Sequence, residues 1–148
     1  VLHENTMDLL VPADAVDAII SSPPYFGALD YARDNRLRLW FLDVPDWKRL
    51  DRALTANDQV YVPQMGQCLA QINRVLRSGG YCVLVLGDVQ RNGVRKHTAN
   101  IVAELAADAT NGQLATELIH ADEIPDIRRS RRKTKTTKCE RILVMRKR

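Results

Sequence analysis

Val16-Asp17-Ala18-Ile19-Ile20-Ser21-Ser22-Pro23-Pro24-Tyr25 decides how this chain is read. Its first six residues form a short apolar run rich in β-branched side chains, which predicts a buried strand. Two prolines then end the run, because neither can donate to a sheet ladder and both hold the backbone extended. A hydroxyl, two rigid residues and an aromatic ring are thereby offered at the carboxyl end of a strand. Open α/β sheets bind their ligands along that edge.

The flanking sequence supplies the rest of such a sheet. Residues 1–3 predict a short strand, 4–8 a turn and 22–31 a loop. Residues 35–42 have helical spacing, with Leu37, Trp40 and Phe41 on one face. Trp40 and Trp47 read as packing anchors. Residues 56–77 form the longest helical pattern, with Pro63 near its start or at a kink. Ser78-Gly79-Gly80 predicts a turn, residues 81–86 a buried strand, and Gly87-Asp88 and Asn92-Gly93 loop turns. A helix over 98–108 and strands over 114–120 and 141–145 follow. This alternation predicts an α/β fold in one domain, 1–148, on a mainly parallel sheet with a C-terminal antiparallel pair.

Composition bounds the function. The chain has 148 residues, 45% of them hydrophobic and 27% charged, as expected of a soluble globular domain. No apolar run approaches the roughly 20 residues needed to span a bilayer, and the first residues do not form a secretory signal. Cys68, Cys82 and Cys139 form no CxxC pair, which argues against zinc and for reduced thiols in a cytoplasm. His3, His97 and His120 lack metal-ligand spacing, so no metal site is expected. The net charge of +4 is unevenly spread: Arg128, Arg129, Arg131, Arg132, Lys133, Lys135 and Lys138 crowd one segment. From charge alone, a solvated basic loop fits as well as phosphate contact. The Ser-Pro-Pro-Tyr corner tilts the balance toward nucleic acid.

That corner resembles the catalytic motif of the DNA amino-methyltransferases, Asp/Asn/Ser-Pro-Pro-Tyr/Phe/Trp. The resemblance continues through Phe26-Gly27, Asp30-Tyr31-Ala32-Arg33 and Leu37 to Leu42. It resumes at Arg74-Val75-Leu76-Arg77-Ser78-Gly79-Gly80 with the following strand, and again at Glu140-Arg141-Ile142-Leu143-Val144-Met145-Arg146-Lys147. It implies the Rossmann-like fold of S-adenosylmethionine-dependent methyltransferases and direct, in-line transfer of a methyl group to an exocyclic amine of a flipped base. Ser22, Pro23, Pro24 and Tyr25 would be catalytic. The Ser22 hydroxyl and the Pro23 carbonyl would accept from the amine, and Tyr25 would stack on the base. Asp30, Tyr31 and Arg33, with the basic segment, become candidates for DNA contact. Ser in the first motif position favours cytosine N4 over adenine N6. Cytosine-C5 chemistry needs a cysteine after a proline, and none of the three cysteines follows one.

The family's cofactor loop, Asp/Asn-Pro-Phe-x-Gly-x-Gly, does not occur in this sequence. The chain therefore reads as the catalytic half of the fold, with a second segment or subunit expected to supply that loop. Where family members carry Gly-Asp-Ala near the cofactor's adenine, Glu4-Asn5-Thr6 stands here. Asn5, with Ser22, is the candidate cofactor contact, though Asn5 is equally at home as a turn residue. The resulting expectation is a modification-system DNA methyltransferase, split or truncated. The second reading is a non-catalytic DNA-binding or assembly module of the same ancestry. An apolar edge left where the cofactor half should pack would favour pairing, homo-oligomers included.

Overall fold

The computed structural model describes residues 5–24, 35–44, 58–91, 94–123 and 139–148. Among these residues the elements are, in order, β1 (Val16–Ser21), α1 (Arg36–Phe41), α2 (Asp58–Val75), β2 (Leu76–Gly87), β3 (Val89–Arg91), β4 (Val94–Lys96), α3 (Thr98–Ala109), β5 (Leu114–Glu123) and β6 (Cys139–Lys147). The strand expected over 1–3 and Trp47 lie outside the described residues.

Four strands form one sheet in the order β1-β2-β6-β5. β1 pairs in parallel with β2, placing Ile19 beside Cys82 and Ser21 beside Leu84. β6 is antiparallel to both neighbours, setting Leu143 between Leu84 of β2 and Ile119 of β5. The expected C-terminal antiparallel pair is present, but the sheet is mixed rather than mainly parallel. The cause is topological: the last strand inserts between β2 and β5 and so reverses the hydrogen-bonding sense on both sides.

The core lies on one face of this sheet. α2 turns Tyr61, Met65, Leu69, Ile72 and Val75 inward at helical spacing, and α3 contributes Ala99, Val102 and Ala106. They close over Cys82, Leu84 and Leu86 of β2, Leu114 of β5, and Leu143 and Met145 of β6. Pro63 is exposed within the first two turns of α2.

The opposite face carries Ile20, Val83, Val144 and Leu118, aligned across all four strands. Ile20 is 77% and Leu118 54% exposed. β1 was expected to be buried, yet none of its six residues is. Among the described residues it is a border strand, paired on one side. The helix α1 departs from expectation in the same way: Trp40 is 70% and Phe41 79% exposed, and their rings meet edge to face at 5.0 Å. Among the described residues Trp40 is thus an exposed ring against Phe41 rather than a packing anchor.

The glycines expected to make a turn sit inside β2, where pairing shifts between Val16–Leu76 and Ala18–Tyr81. Gly79 has φ +79, and a Cβ on Gly80 would meet the Arg77 carbonyl at 2.9 Å and the Asp17 carbonyl at 3.0 Å. The turn is accommodated as a bulge that only glycine permits.

Burial pushes the Cys82 thiol from 9.0 up to about 12. The unfolded chain therefore loses this proton at a lower pH than the folded one. Its contribution to stability is complete below pH 9 and declines by about 1.4 kcal/mol per pH unit until the folded thiol itself ionises. Denaturant titrations across that window should show a shallower decline for Cys82→Ala than for the wild type. Equal slopes would contradict the assignment.

Candidate active site at the carboxyl edge of the sheet

β1, β2 and β5 run one way and β6 the other, so the ends of the first three and the start of β6 share one edge. Ser22, Pro23 and Pro24 leave β1 there. Ser22 and Pro24 are exposed and Pro23 is half-buried. The Ser22 hydroxyl donates to the Val85 carbonyl of β2 at 3.4 Å, a long bond that nevertheless directs the proton toward the sheet. The lone pairs of Oγ remain available as acceptors.

β2 delivers a second group to the same edge. Asp88 follows directly on its last residue and is 4% exposed. Its backbone N–H donates to the Cys139 carbonyl at 3.0 Å, fastening the end of β2 to the first residue of β6. Arg141 Nε donates to both carboxylate oxygens, at 2.9 and 3.1 Å. His97 Nδ1 lies 3.0 Å from Asp88 Oδ2 and 2.9 Å from Arg141 Nη2. Nδ1 cannot donate to the carboxylate and accept from the guanidinium at once, so the proton on His97 decides which contact is a hydrogen bond. The hydrogen bond to Asp88 raises the Arg141 pKa above its ordinary value against the opposing effect of burial. Beside this knot, the buried Thr98 hydroxyl donates to the Gly87 carbonyl at 2.8 Å.

Between Asp88 and His97 the chain makes an antiparallel hairpin, β3 against β4, pairing Val89 with Lys96 and Gln90 with Arg95. Locally, Gly87-Asp88 and Asn92-Gly93 read only as loop turns. Asn-Gly between two short runs is itself a hairpin signal and would have located this element. Nothing local marked Asp88, His97 and Arg141 as partners, since 44 residues separate the last two.

Of the residues predicted for the site, Ser22, Pro23 and Pro24 are brought to this edge. Tyr25, Asp30, Tyr31, Arg33 and the basic residues Arg128, Arg129, Arg131, Arg132, Lys133 and Lys135 lie outside the described residues. The ends that the basic segment joins, Glu123 of β5 and Cys139 of β6, are paired at this same edge. Asn5 is exposed, and its Oδ1 accepts from the Met7 N–H at 3.0 Å within its own turn. Among the described residues, its hydrogen-bond partners do not include Ser22. No group of three or more His, Cys, Asp or Glu among the described residues could hold a metal ion. No described helix is long and apolar enough to cross a membrane.

No protein-family model matches the chain, and no curated protein does. Solved structures do. One is a protein of Thermus thermophilus described as a DNA modification methylase, 16% identical, with a TM-score of 0.58 over 93% of this chain and 48% of that one. The same protein complexed with S-adenosyl-L-methionine gives 16% identity and a TM-score of 0.56 over the same shares. A SAM-dependent methyltransferase of Methanosarcina mazei is 12% identical, with a TM-score of 0.51 over 97% of this chain and 65% of that one. The chain spans about half the length of the Thermus protein. Across that half, its mixed sheet with α2 and α3 on one face has the α/β fold of these proteins.

Proposed function

We propose that this chain is the methyl-accepting half of an S-adenosylmethionine-dependent DNA amino-methyltransferase. The observation that carries the reading is the Ser22-Pro23-Pro24 corner at the carboxyl edge of β1, with its hydroxyl exposed and its proton turned toward Val85. An exocyclic amine is a poor nucleophile because its lone pair is delocalised into the ring. Acceptors aimed at its hydrogens draw the nitrogen toward tetrahedral geometry as positive charge develops, an effect concentrated in the transition state. Ser22 Oγ and the Pro23 carbonyl are those acceptors, and the diproline fixes their directions before the base arrives. Tyr25 stacks on the extruded base. Asp30, Tyr31, Arg33 and the basic segment engage the DNA. Cytosine N4 is the favoured target over adenine N6.

S-adenosylmethionine supplies the sulfonium methyl group when bound. The residues of this chain fit the acceptor side of that chemistry and not the cofactor's cradle. The glycine loop does not occur in the sequence, and the one candidate cofactor contact outside the corner is Asn5, whose Oδ1 accepts from the Met7 N–H and keeps a second lone pair for an amine. A second segment or subunit holds the cofactor. The sheet face left open among the described residues supports this, since the row Ile20, Val83, Val144 and Leu118 is apolar, partly exposed and continuous with the border strand β1. A patch of this kind is normally covered.

The absence of the glycine loop also favours a second reading, a non-catalytic DNA-binding or assembly module. Transfer of label from methyl-tritiated S-adenosylmethionine separates the two. With the flanking coding sequence co-expressed, label should enter duplex DNA and not RNA or protein. Labelling of RNA or protein instead would reassign the substrate, and no labelling would leave the module reading standing.

A further inference from the structure

We propose that the β3–β4 hairpin is a DNA-phosphate contact, with Arg95 as its contacting side chain and the Asp88–His97–Arg141 knot as its brace. The proposal rests on the DNA reading above and adds a binding element to it.

Three observations carry it. The first is position. The hairpin leaves the sheet directly after β2, at the edge that presents Ser22, and Asp88 fastens its start to Cys139, where the basic segment rejoins the sheet. Arg95 is near enough to Cys139 for its positive charge to favour the thiolate there, although burial leaves that thiol raised on balance. The hairpin and Cys139, the first described residue after the basic segment, are therefore neighbours.

The second is charge. From residue 89 to residue 103 the chain carries Arg91, Arg95 and Lys96 and no Asp or Glu. Glu123, Glu140 and Asp122 stand nearby on β5 and β6, and Asp88 is already matched by Arg141. Arg95 is exposed and has no ion-pair partner among the described residues. A guanidinium in that setting releases condensed counterions when it meets a phosphate.

The third is stiffness. A free two-stranded hairpin is marginal in water. Here Arg141 of β6 holds Asp88 at the start of the two strands, and His97 at their end bonds either Asp88 or Arg141 through Nδ1. Buried Val89 roots the first strand in the core, and the buried Thr98 hydroxyl holds the Gly87 carbonyl. An arginine carried on a braced ribbon loses less freedom on binding than one on a loose loop, so more of its electrostatic gain survives as affinity.

Binding of a short duplex to the full chain, followed by fluorescence anisotropy across a potassium chloride series, tests the proposal. Arg95→Gln should reduce the slope of log affinity against log salt by about 0.9, the signature of one lost phosphate contact. Arg95→Lys should restore the slope, which a structural role for the side chain would not require. Arg77→Gln, at the opposite edge, should leave it unchanged. A slope for Arg95→Gln equal to the wild type's overturns the hairpin contact and leaves the DNA reading intact. An equal loss in Arg77→Gln overturns it too, because the effect would follow net charge alone. No binding by the wild type overturns both readings.

Discussion

Arg141→Met is expected to destabilise the folded chain by about 3–5 kcal/mol, the range for removing one partner of a buried ion pair. Asp88 is almost wholly shielded from water, and Arg141 meets both of its oxygens through Nε. Methionine roughly preserves the packing of the arginine stem while removing every donor. The carboxylate would then depend on His97 alone, at a single oxygen. The midpoint of thermal unfolding should fall by about 10 °C in a domain of this size. Asp88→Leu combined with Arg141→Met should recover much of the loss, since an apolar pair of matched volume leaves no charge to solvate. A single-variant loss below about 1 kcal/mol would place the pair among the weak surface ion pairs and remove the brace from the account of the hairpin.

Ser22→Ala is expected to lower methyl transfer by about 10²-fold, the lower end of what one preorganised hydrogen-bonding group contributes in a transition state. Stability should barely change, because Ser22 is exposed and its bond to Val85 is long. DNA affinity should hold as well, because the hydroxyl carries no charge and the basic groups are untouched. The combination is diagnostic, in that turnover falls while folding and binding do not. An equal fall in affinity and turnover would make Ser22 a ground-state binding group rather than an acceptor acting on the amine.

Local chemistry made much of this fold legible. The helical spacing of Met65, Leu69 and Ile72 located α2, and the apolar run through Cys82, Leu84 and Leu86 located β2. The diproline fixed where β1 stops. What eluded the sequence depends on residues far apart in the chain. Insertion of β6 between β2 and β5 is invisible to any window, because Leu143 reads the same in a parallel or an antiparallel strand. Exposure of Ile20 and Trp40 depends on what lies over them, whereas their apolar character is local. Asp88 looked like a turn residue because its justification, Arg141, comes from another strand. The acceptor corner was legible for the opposite reason, since its chemistry is held in adjacent residues.

Nucleoside analysis of genomic DNA shows whether Ser22 serves transfer of a methyl group to a base amine. The chain should be expressed with its flanking coding sequence in a host that lacks amino-methylated bases, and the digested DNA analysed by mass spectrometry. N4-methylcytosine should appear with the wild type and nearly vanish with Ser22→Ala; N6-methyladenine in its place, lost in the same way, would keep the amino-methyl transfer and move the target to adenine. Methylated base at equal levels in the two strains, or none in either, would contradict a role for Ser22 in that transfer.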